Sequence, residues 1–316
     1  MNKILVTGSG GFVGKNLVHQ LLQQRNEVIA HSRSVQLTGC ENVHSEISSL
    51  TDWSGVLTDV DAVIHCAARV HQMNESQQEA KILYHEVNVA GSLNLAKQAV
   101  EAGVKRFIFI SSIKVNGEWT NESEPFTADD MPHPQDAYGQ SKYDAECALI
   151  EFAQQSGLEL VIIRPPLVYG PGVKANFLSM MKVVAKGVPL PFGAIKSLRS
   201  FVYVENLVNL ILVCCEHTKA PGKIFLISDD EDISIRELLR QLAQLSGKKS
   251  YLLPIPKFLL ISLLTLIGKK AAAQRLCQPL QLDIQETKDI LGWEPKYSLR
   301  EGLEKTVDSY LNDVKD

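Results

Sequence analysis

Tyr138 and Lys142 stand four residues apart in the run Tyr138-Gly-Gln-Ser-Lys142, at the start of a stretch whose pattern predicts a helix from Tyr138 to Gln155. On a helix that spacing stacks two side chains on one face. A phenol and an ammonium can then reach into one cleft. A free tyrosine titrates near pH ~10, too high for proton exchange near neutrality. A neighbouring cation favours the phenolate and lowers that value. The pair therefore suits general acid/base work on a hydroxyl or carbonyl oxygen. Alone, the same residues also describe an exposed turn of helix, so the decision rests on what the rest of the chain builds around them.

The N-terminus builds a phosphate site. Lys3 to Thr7 is a short apolar run consistent with a buried parallel strand. Gly8-Ser-Gly-Gly11-Phe-Val-Gly14 follows, and Leu17, Val18, Leu21 and Leu22 then show helical spacing over Lys15 to Gln24. Strand, glycine turn, helix is the context a dinucleotide fingerprint requires. The glycines allow a tight turn and close approach to a pyrophosphate, and the helix N-terminus supplies oriented N–H groups. A second strand, Glu27 to His31, is followed by Ser32-Arg33-Ser34. An acid there would bind a ribose 2′-hydroxyl and favour NAD, whereas an arginine accommodates a 2′-phosphate. With Arg33 and no acid, NADP(H), or use of both NAD and NADP, is expected; the plainer reading of Arg33 is a solvated side chain. A third strand near Asn42 to Glu46 puts Glu46 and Ile47 beside the adenine.

Asp61 to Ala68 reads as a fourth strand running into Ala67 and Ala68, small enough for the chain to pass close beneath a cofactor. Ser76 to Ala102 is predicted helical; Asn88, on its apolar side, is read as a structural hydrogen-bond bridge ahead of a site residue. Lys105 to Ile110 is a fifth strand ending at Ser111-Ser112. Ligands bind at the carboxyl ends of strands in an open parallel sheet, so both serines are expected near the cofactor. Ser112 can share a substrate oxygen with Tyr138. Gly117 to Asp136 is a polar surface loop leading to the Tyr138 helix, and Leu160 to Arg164 is a sixth strand.

Composition sets outer limits. The chain has 316 residues, 45% hydrophobic and 22% charged, enough for one large domain or two coupled ones. A net charge of -4 argues against nucleic acid or an anionic membrane as an electrostatic partner. The six cysteines form no Cys-x-x-Cys pair, and the chain opens directly on Asn2-Lys3 and an apolar run, so reduced thiols, no targeting segment and a cytoplasmic location are expected. His71 and His85 have no partners at metal-ligand spacing, and no metal site is expected. Leu252 to Ile267 is strongly apolar, but Pro254, Pro256 and Lys257 leave only Phe258 to Ile267 uninterrupted before Gly268, too short to span a bilayer. Core or oligomer packing is its first reading, peripheral membrane docking its second.

Five stretches occur in one order: Thr7-Gly-x-x-Gly-Phe-x-Gly14, His65-x-Ala-Ala68, Ser111-Ser112, Tyr138-x-x-x-Lys142 and Arg164-Pro-Pro-Leu-Val-Tyr-Gly-Pro-Gly172. In this the chain resembles the extended short-chain dehydrogenases/reductases, in the nucleotide-sugar epimerase/dehydratase branch, and especially the UDP-glucose 4-epimerase-like group. The resemblance runs to the Leu291-Gly-Trp293-x-Pro295 segment and the closing helix Ser298 to Leu311. It implies an α/β fold: a Rossmann-type doubly wound parallel sheet with a small C-terminal α/β substrate domain. Residues 1–165 would form the dinucleotide-binding core and 166–316 mainly the substrate domain, with about 201–230 returning to the core. It implies Tyr138 as acid/base catalyst, Lys142 on the nicotinamide ribose and tuning the tyrosine, and Ser112 as the catalytic Ser/Thr. Gly8, Gly11, Phe12, Val13 and Gly14 would form the phosphate loop. Pro165 and Val168 would face the nicotinamide. Asn176, Arg199 and Arg275 would meet the diphosphate of a nucleotide sugar, and Leu280 would wall the sugar pocket. Relatives usually read Arg-Asp-Phe where this chain has Arg199-Ser200-Phe201. Similar enzymes are often homodimers through two long helices.

Every reading shares hydride transfer at a hexose C4 with Tyr138 moving the proton. The absence of an acid after the second strand, with Arg33, tilts toward a dissociable cofactor and hence a 4-keto reductase of a UDP-4-keto-6-deoxy-(N-acetylamino)hexose in surface polysaccharide precursor synthesis. The alternative is a UDP-glucose or UDP-N-acetylglucosamine 4-epimerase with bound NAD. Dehydratases carry Asp-Glu where Ile113-Lys114 stand here. A non-catalytic nucleotide-binding regulator would be expected to lack the Tyr or the Lys, and both are present.

Overall fold

The apolar runs of the first two-thirds of the chain become one sheet. In the computed structural model, which describes residues 2–70, 77–266 and 276–313, the strands are β1 (Lys3–Thr7), β2 (Glu27–Ser32), β3 (Glu41–His44), β4 (Ala62–His65), β5 (Arg106–Ile110), β6 (Glu159–Arg164) and β10 (Lys223–Leu226). They lie in the order β10-β6-β5-β4-β1-β2-β3, and every pairing is parallel. The order reverses between β1 and β4, and the carboxyl ends there open a crevice where dinucleotides bind in such sheets. Alternation along each strand fills both faces. Ile4, Val6, Ile64 and Ile108 pack with Leu17, Val18 and Leu21 of α1 (Phe12–Gln23) and with Leu207 and Ile211 of α6 (Val204–Glu216). Leu5, Val63, Phe107 and Phe109 pack with Leu95 and Ala99 of α3 (Gly91–Glu101) and with Ala145 and Leu149 of α4 (Ala137–Ser156).

The helical stretch predicted from Ser76 to Ala102 is not one α-helix. α2 (Gln77–Tyr84) passes through a π-helical segment, His85–Ala90, before α3 begins. A π turn carries one extra residue, which a 3.6-residue pattern does not reveal, and such turns recur at functional sites. Here it holds Asn88 as a bridge: its Oδ1 accepts the Arg69 N–H at 2.7 Å and its Nδ2 donates to Ser141 Oγ of α4 at 2.9 Å.

A smaller set of elements follows β6. β7 (Leu167–Tyr169) pairs in parallel with β9 (Phe201–Tyr203), and β8 (Leu198–Arg199) pairs antiparallel with β11 (Ile233–Ser234). The remaining helices are α5 (Ala175–Ala185), α7 (Ile235–Leu245), α8 (Lys257–Leu266), Gln285–Leu291 and Leu299–Asp313. Ser234 caps α7 by accepting the Glu237 N–H at 3.2 Å, and Ser298 and Glu301 make the reciprocal box on the closing helix. Asp229 joins β9 to α6: it accepts from the Tyr203 N–H at 2.8 Å, Asn206 Nδ2 at 2.7 Å and Tyr169 Oη at 2.7 Å. His71, Ser76, Ile267, Gly268 and Arg275, which carried expectations above, lie outside the described residues.

Candidate active site

The glycine loop between β1 and α1 is shaped by close approaches. Gly8 has φ +72°, and a Cβ there would stand 2.6 Å from the backbone nitrogen of Ala67. A side chain at Gly14 would meet the Gly8 carbonyl oxygen at 2.3 Å. α1 opens at Gly11 with no side-chain cap and no acid in its first turn. Its positive end is therefore not neutralised from within the helix, which suits a phosphate. Gly8, Gly11, Arg33, Glu46, Ile47, Ala67 and Ala68 all line one cleft of about 340 Å³. Phe12 and Val13 are in the first turn of α1 and pack against the core.

Sequence reasoning missed His31 and Ser32 in this cleft. The Ser32 hydroxyl donates to the Val35 carbonyl and accepts the Val35 N–H, both at 2.9 Å. That closes a turn which leaves Arg33 exposed at the cleft. His31 is buried edge-on to Trp53, ring centroids 4.7 Å apart, with Nε2 2.9 Å from Ser45 Oγ. Burial pushes the imidazole down to about 4, so it is neutral at physiological pH. No motif announces this residue; its place near the end of an apolar strand is its signal. His65 is held between Thr7 Oγ1 at 2.6 Å and Ser92 Oγ at 2.8 Å, and burial holds it near 3. It pins the end of β4 where Ala67 and Ala68 follow.

The start of α4 carries the Tyr/Lys pair. Asp136 caps the helix by accepting the Gly139 N–H at 2.7 Å, and its carboxylate also pairs with Lys114. Tyr138 is half-buried, edge-on to Tyr84 at 6.3 Å, with Lys114 Nζ 5.8 Å from its ring centroid. Lys142 is 1% exposed. Its Nζ lies 3.9 Å from the centroid of the Phe109 ring and has no hydrogen-bond partner among the described residues. Burial pushes that ammonium down to about 7, against the pull of Glu146 and Cys66.

One expectation is corrected here. Lys142 does not bring the phenol down: burial, the Asp136 carboxylate and Tyr84 push Tyr138 up to about 12. The reason is that both groups are desolvated together, which raises a phenol and weakens the ammonium's own charge. In the chain by itself Tyr138 is a proton donor at neutral pH.

The two serines after β5 part company. Ser111 Oγ donates to the buried Glu146 carboxylate, which also takes Arg164 Nε at 3.0 Å and a terminal Arg164 nitrogen at 2.5 Å. Its hydroxyl is spent on the scaffold. Ser112 is half-buried and caps the short turn Ile113–Val115, its Oγ accepting the Lys114 N–H at 3.3 Å. That bond uses a lone pair and leaves the hydroxyl proton to give.

The remaining predicted residues sit on other elements. Pro165 is buried, its carbonyl accepting the Ile113 N–H at 3.0 Å, and Val168 in β7 pairs with Val202. Asn176 is exposed in the first turn of α5. Arg199 donates to the Gln278 carbonyl at 2.7 Å and bridges Leu280, which is buried. Ser200 donates to Asp232 at 2.5 Å and accepts the Leu282 N–H at 2.9 Å. A second cavity of about 490 Å³ is lined by Glu122, Lys196, Ser197, Leu198, Lys257 and Gln281, among others.

The family model described as the NAD dependent epimerase/dehydratase family matches residues 4–228. The chain belongs to that family. It is similar to a UDP-glucose 4-epimerase from Vibrio cholerae, 46% identical over 98% of this chain and 95% of the relative. An N-acetyl-alpha-D-glucosaminyl-diphospho-ditrans,octacis-undecaprenol 4-epimerase from Escherichia coli O157:H7 is 29% identical over 97% of this chain and 94% of its own. Among solved structures, a UDP-glucose 4-epimerase from Thermotoga maritima with UDP-glucose superposes with TM-score 0.78 at 26% identity, covering 99% of each chain. As a member of this NAD-dependent family the protein is an enzyme of the epimerase/dehydratase type. Its own residues fit a nicotinamide dinucleotide: an uncapped helix N-terminus at a glycine turn, and a buried lysine donor without a partner.

Proposed function

We propose that this enzyme exchanges a hydride and a proton at C4 of a UDP-hexose, as a 4-epimerase. The observation that carries the reading is the partnerless, buried Lys142 ammonium one helical turn from Tyr138, in a chain that matches a 4-epimerase nearly end to end. A buried donor without an acceptor costs stability, and the hydroxyls of a ribose are acceptors of the right kind. The nicotinamide, when bound, supplies the acceptor and donor of the C4 hydride.

The chain does the rest. Tyr138 holds the proton of the C4 oxygen, taking it when a hydroxyl is oxidised and giving it back when a ketone is reduced. Lys142 favours the phenolate once its charge is restored by acceptors. Ser112 donates its hydroxyl to the same oxygen and orients it. Gly8, Gly11 and the α1 N-terminus, with Phe12, Val13 and Gly14 behind the turn, hold the pyrophosphate. Glu46 and Ile47 flank the adenine; Ala67, Ala68, Ser111, Pro165 and Val168 floor and cover the cofactor. Asn176 and Arg199 hold the substrate diphosphate, a job guanidinium geometry suits. On this reading residues 1–165 are the dinucleotide core and 166–316 mainly the substrate lobe.

A second reading, a 4-keto reductase using dissociable NADPH, is favoured by one feature: Arg33 is exposed at the cleft and no acid ends β2. Acid extraction of the purified enzyme separates the two. Stoichiometric NAD in the extract, with interconversion of UDP-glucose and UDP-galactose or of their N-acetylamino forms, is the expected result. An empty protein that oxidises NADPH on a 4-keto sugar nucleotide would replace the epimerase with the reductase.

A further inference from the structure

α8 presents two unlike faces. Leu260 is buried in a cluster with Ile195 and Cys277, and Lys257 Nζ donates to Gln278 Oε1 at 2.9 Å. That side is fastened to the protein. On the other, Phe258, Leu259 and Leu266 are 67%, 49% and 85% exposed. Phe258, Ser262 and Leu266 follow i, i+4, i+8 spacing and share one stripe. Tyr251 and Leu253, just ahead of the helix, are also exposed. They are held there by backbone bonds from Leu190 N–H to the Tyr251 carbonyl and from Leu253 N–H to the Leu190 carbonyl, both 2.8 Å. Single exposed apolar residues need no explanation, but a run of large ones does.

Along the chain the charge of this segment has one sign. From Leu238 to Leu282 the sequence has seven Lys or Arg and no Asp or Glu, although the whole chain carries -4. Lys248 and Lys249, three and two residues before Tyr251, are exposed. The chain-wide average therefore conceals a basic, apolar segment.

We propose that this face docks on an anionic lipid bilayer, with α8 lying along the interface and its apolar stripe among the acyl chains. α8 carries apolar residues on both sides; the protein covers the side of Leu260 and leaves Phe258, Leu259 and Leu266 exposed, and each lysine near an anionic surface adds attraction to that uncovered side. A second copy of the chain fits worse. A two-fold self-contact sets the same patch against itself, which here faces lysines with lysines; a bilayer supplies the counter-charge. Crossing the membrane is not involved: no described helix is long and apolar enough. Lys257 also lines the 490 Å³ cavity, so the docking face and that cavity share an edge. This proposal stands independently of the choice between epimerase and reductase.

The test is sedimentation of the full-length enzyme with vesicles of phosphatidylcholine alone or with about one-third phosphatidylglycerol, at about 0.1 M salt, where charges act over roughly 10 Å. At least ~10-fold stronger partitioning onto the anionic vesicles is expected, weakening as salt is raised. The double variant Phe258→Ser/Leu266→Ser is expected to lose at least ~10-fold, and Lys248→Gln/Lys249→Gln about fivefold per charge removed. These positions are exposed, so folding is checked by unchanged thermal unfolding, and Phe258→Trp gives a second readout through a blue-shifted emission on vesicles. Absence of binding, equal binding to both vesicle types, or binding indifferent to both variants overturns the proposal. So does a dimer in solution that Phe258→Ser/Leu266→Ser dissociates without any vesicle binding, which would assign the face to a second copy.

Discussion

Lys142 and Glu146 are one turn apart on α4 and both only 1% exposed, yet the fold treats them in opposite ways. Glu146 is fully engaged: Ser111 and two nitrogens of Arg164 reach it, and Arg164 in turn donates to Asn116 at 2.9 Å. Lys142 lies over the Phe109 ring and has no hydrogen-bond partner among the described residues. A buried charge with every partner in place belongs to the scaffold, and breaking it is costly. A buried charge without one is tolerated only where something else completes it. The difference separates the part of α4 that holds the sheet together from the part that waits for a ligand. It also predicts that damage to the two parts will appear in different measurements.

The largest expected effect is in turnover. Tyr138→Phe removes the proton donor and should lower kcat by ~10³-fold, within the usual range for general acid/base groups, while the unfolding midpoint and cofactor affinity stay close to the parent. Unimpaired turnover in steady-state assays would remove Tyr138 from the reaction. Arg164→Ala should do the reverse, costing about 3–5 kcal/mol in chemical denaturation because Glu146 is left buried and unpaired. A loss below ~1 kcal/mol, on the scale of an exposed pair, would mean that the two charges are not as unlike as their surroundings suggest.

Lys142→Met sharpens the contrast through pH. The folded-state ammonium is depressed to about 7 from 10.5, so between those values the unfolded chain binds more protons than the folded one. Stability of the cofactor-free protein should then rise with pH across that window. In Lys142→Met this slope should flatten, stability at neutral pH should be equal or higher, and cofactor affinity should fall. An unchanged slope in urea titrations from pH 7 to 10 would show that Lys142 is not the group responsible. The smallest effect is at the cleft rim: Arg33→Ala should weaken NADPH binding by about tenfold, worth ~1.4 kcal/mol, and leave NADH nearly unchanged by fluorescence titration. Equal losses for both cofactors would remove the 2′-phosphate role.

Much of the frame was legible because its signals are local. β1 was predicted over the residues it occupies. The glycine turn, Arg33, Glu46, Ile47, Ala67 and Ala68 were expected around one cofactor and line one cleft. Asn88 was read as a bridge and is one. Other features had no local mark. The π-helical turn that aims Asn88 disturbs a periodicity by one residue only. His31 looks like any strand residue until Trp53 and Ser45 close over it. Nothing in Ser111-Ser112 says which hydroxyl turns inward to Glu146, 35 residues away.

By itself the sequence determined residue types, spacing and the succession of the first strands along the chain, and with them the phosphate turn and the Tyr138–Lys142 pair, because these depend on backbone geometry within a few residues. Tertiary structure alone decided the protonation and the partners: that burial raises Tyr138 and lowers Lys142, that Ser111 serves Glu146, and that Arg199 meets Gln278, 79 positions later. Desolvation and long-range contacts are properties of the packed chain, and no short window of residues contains them.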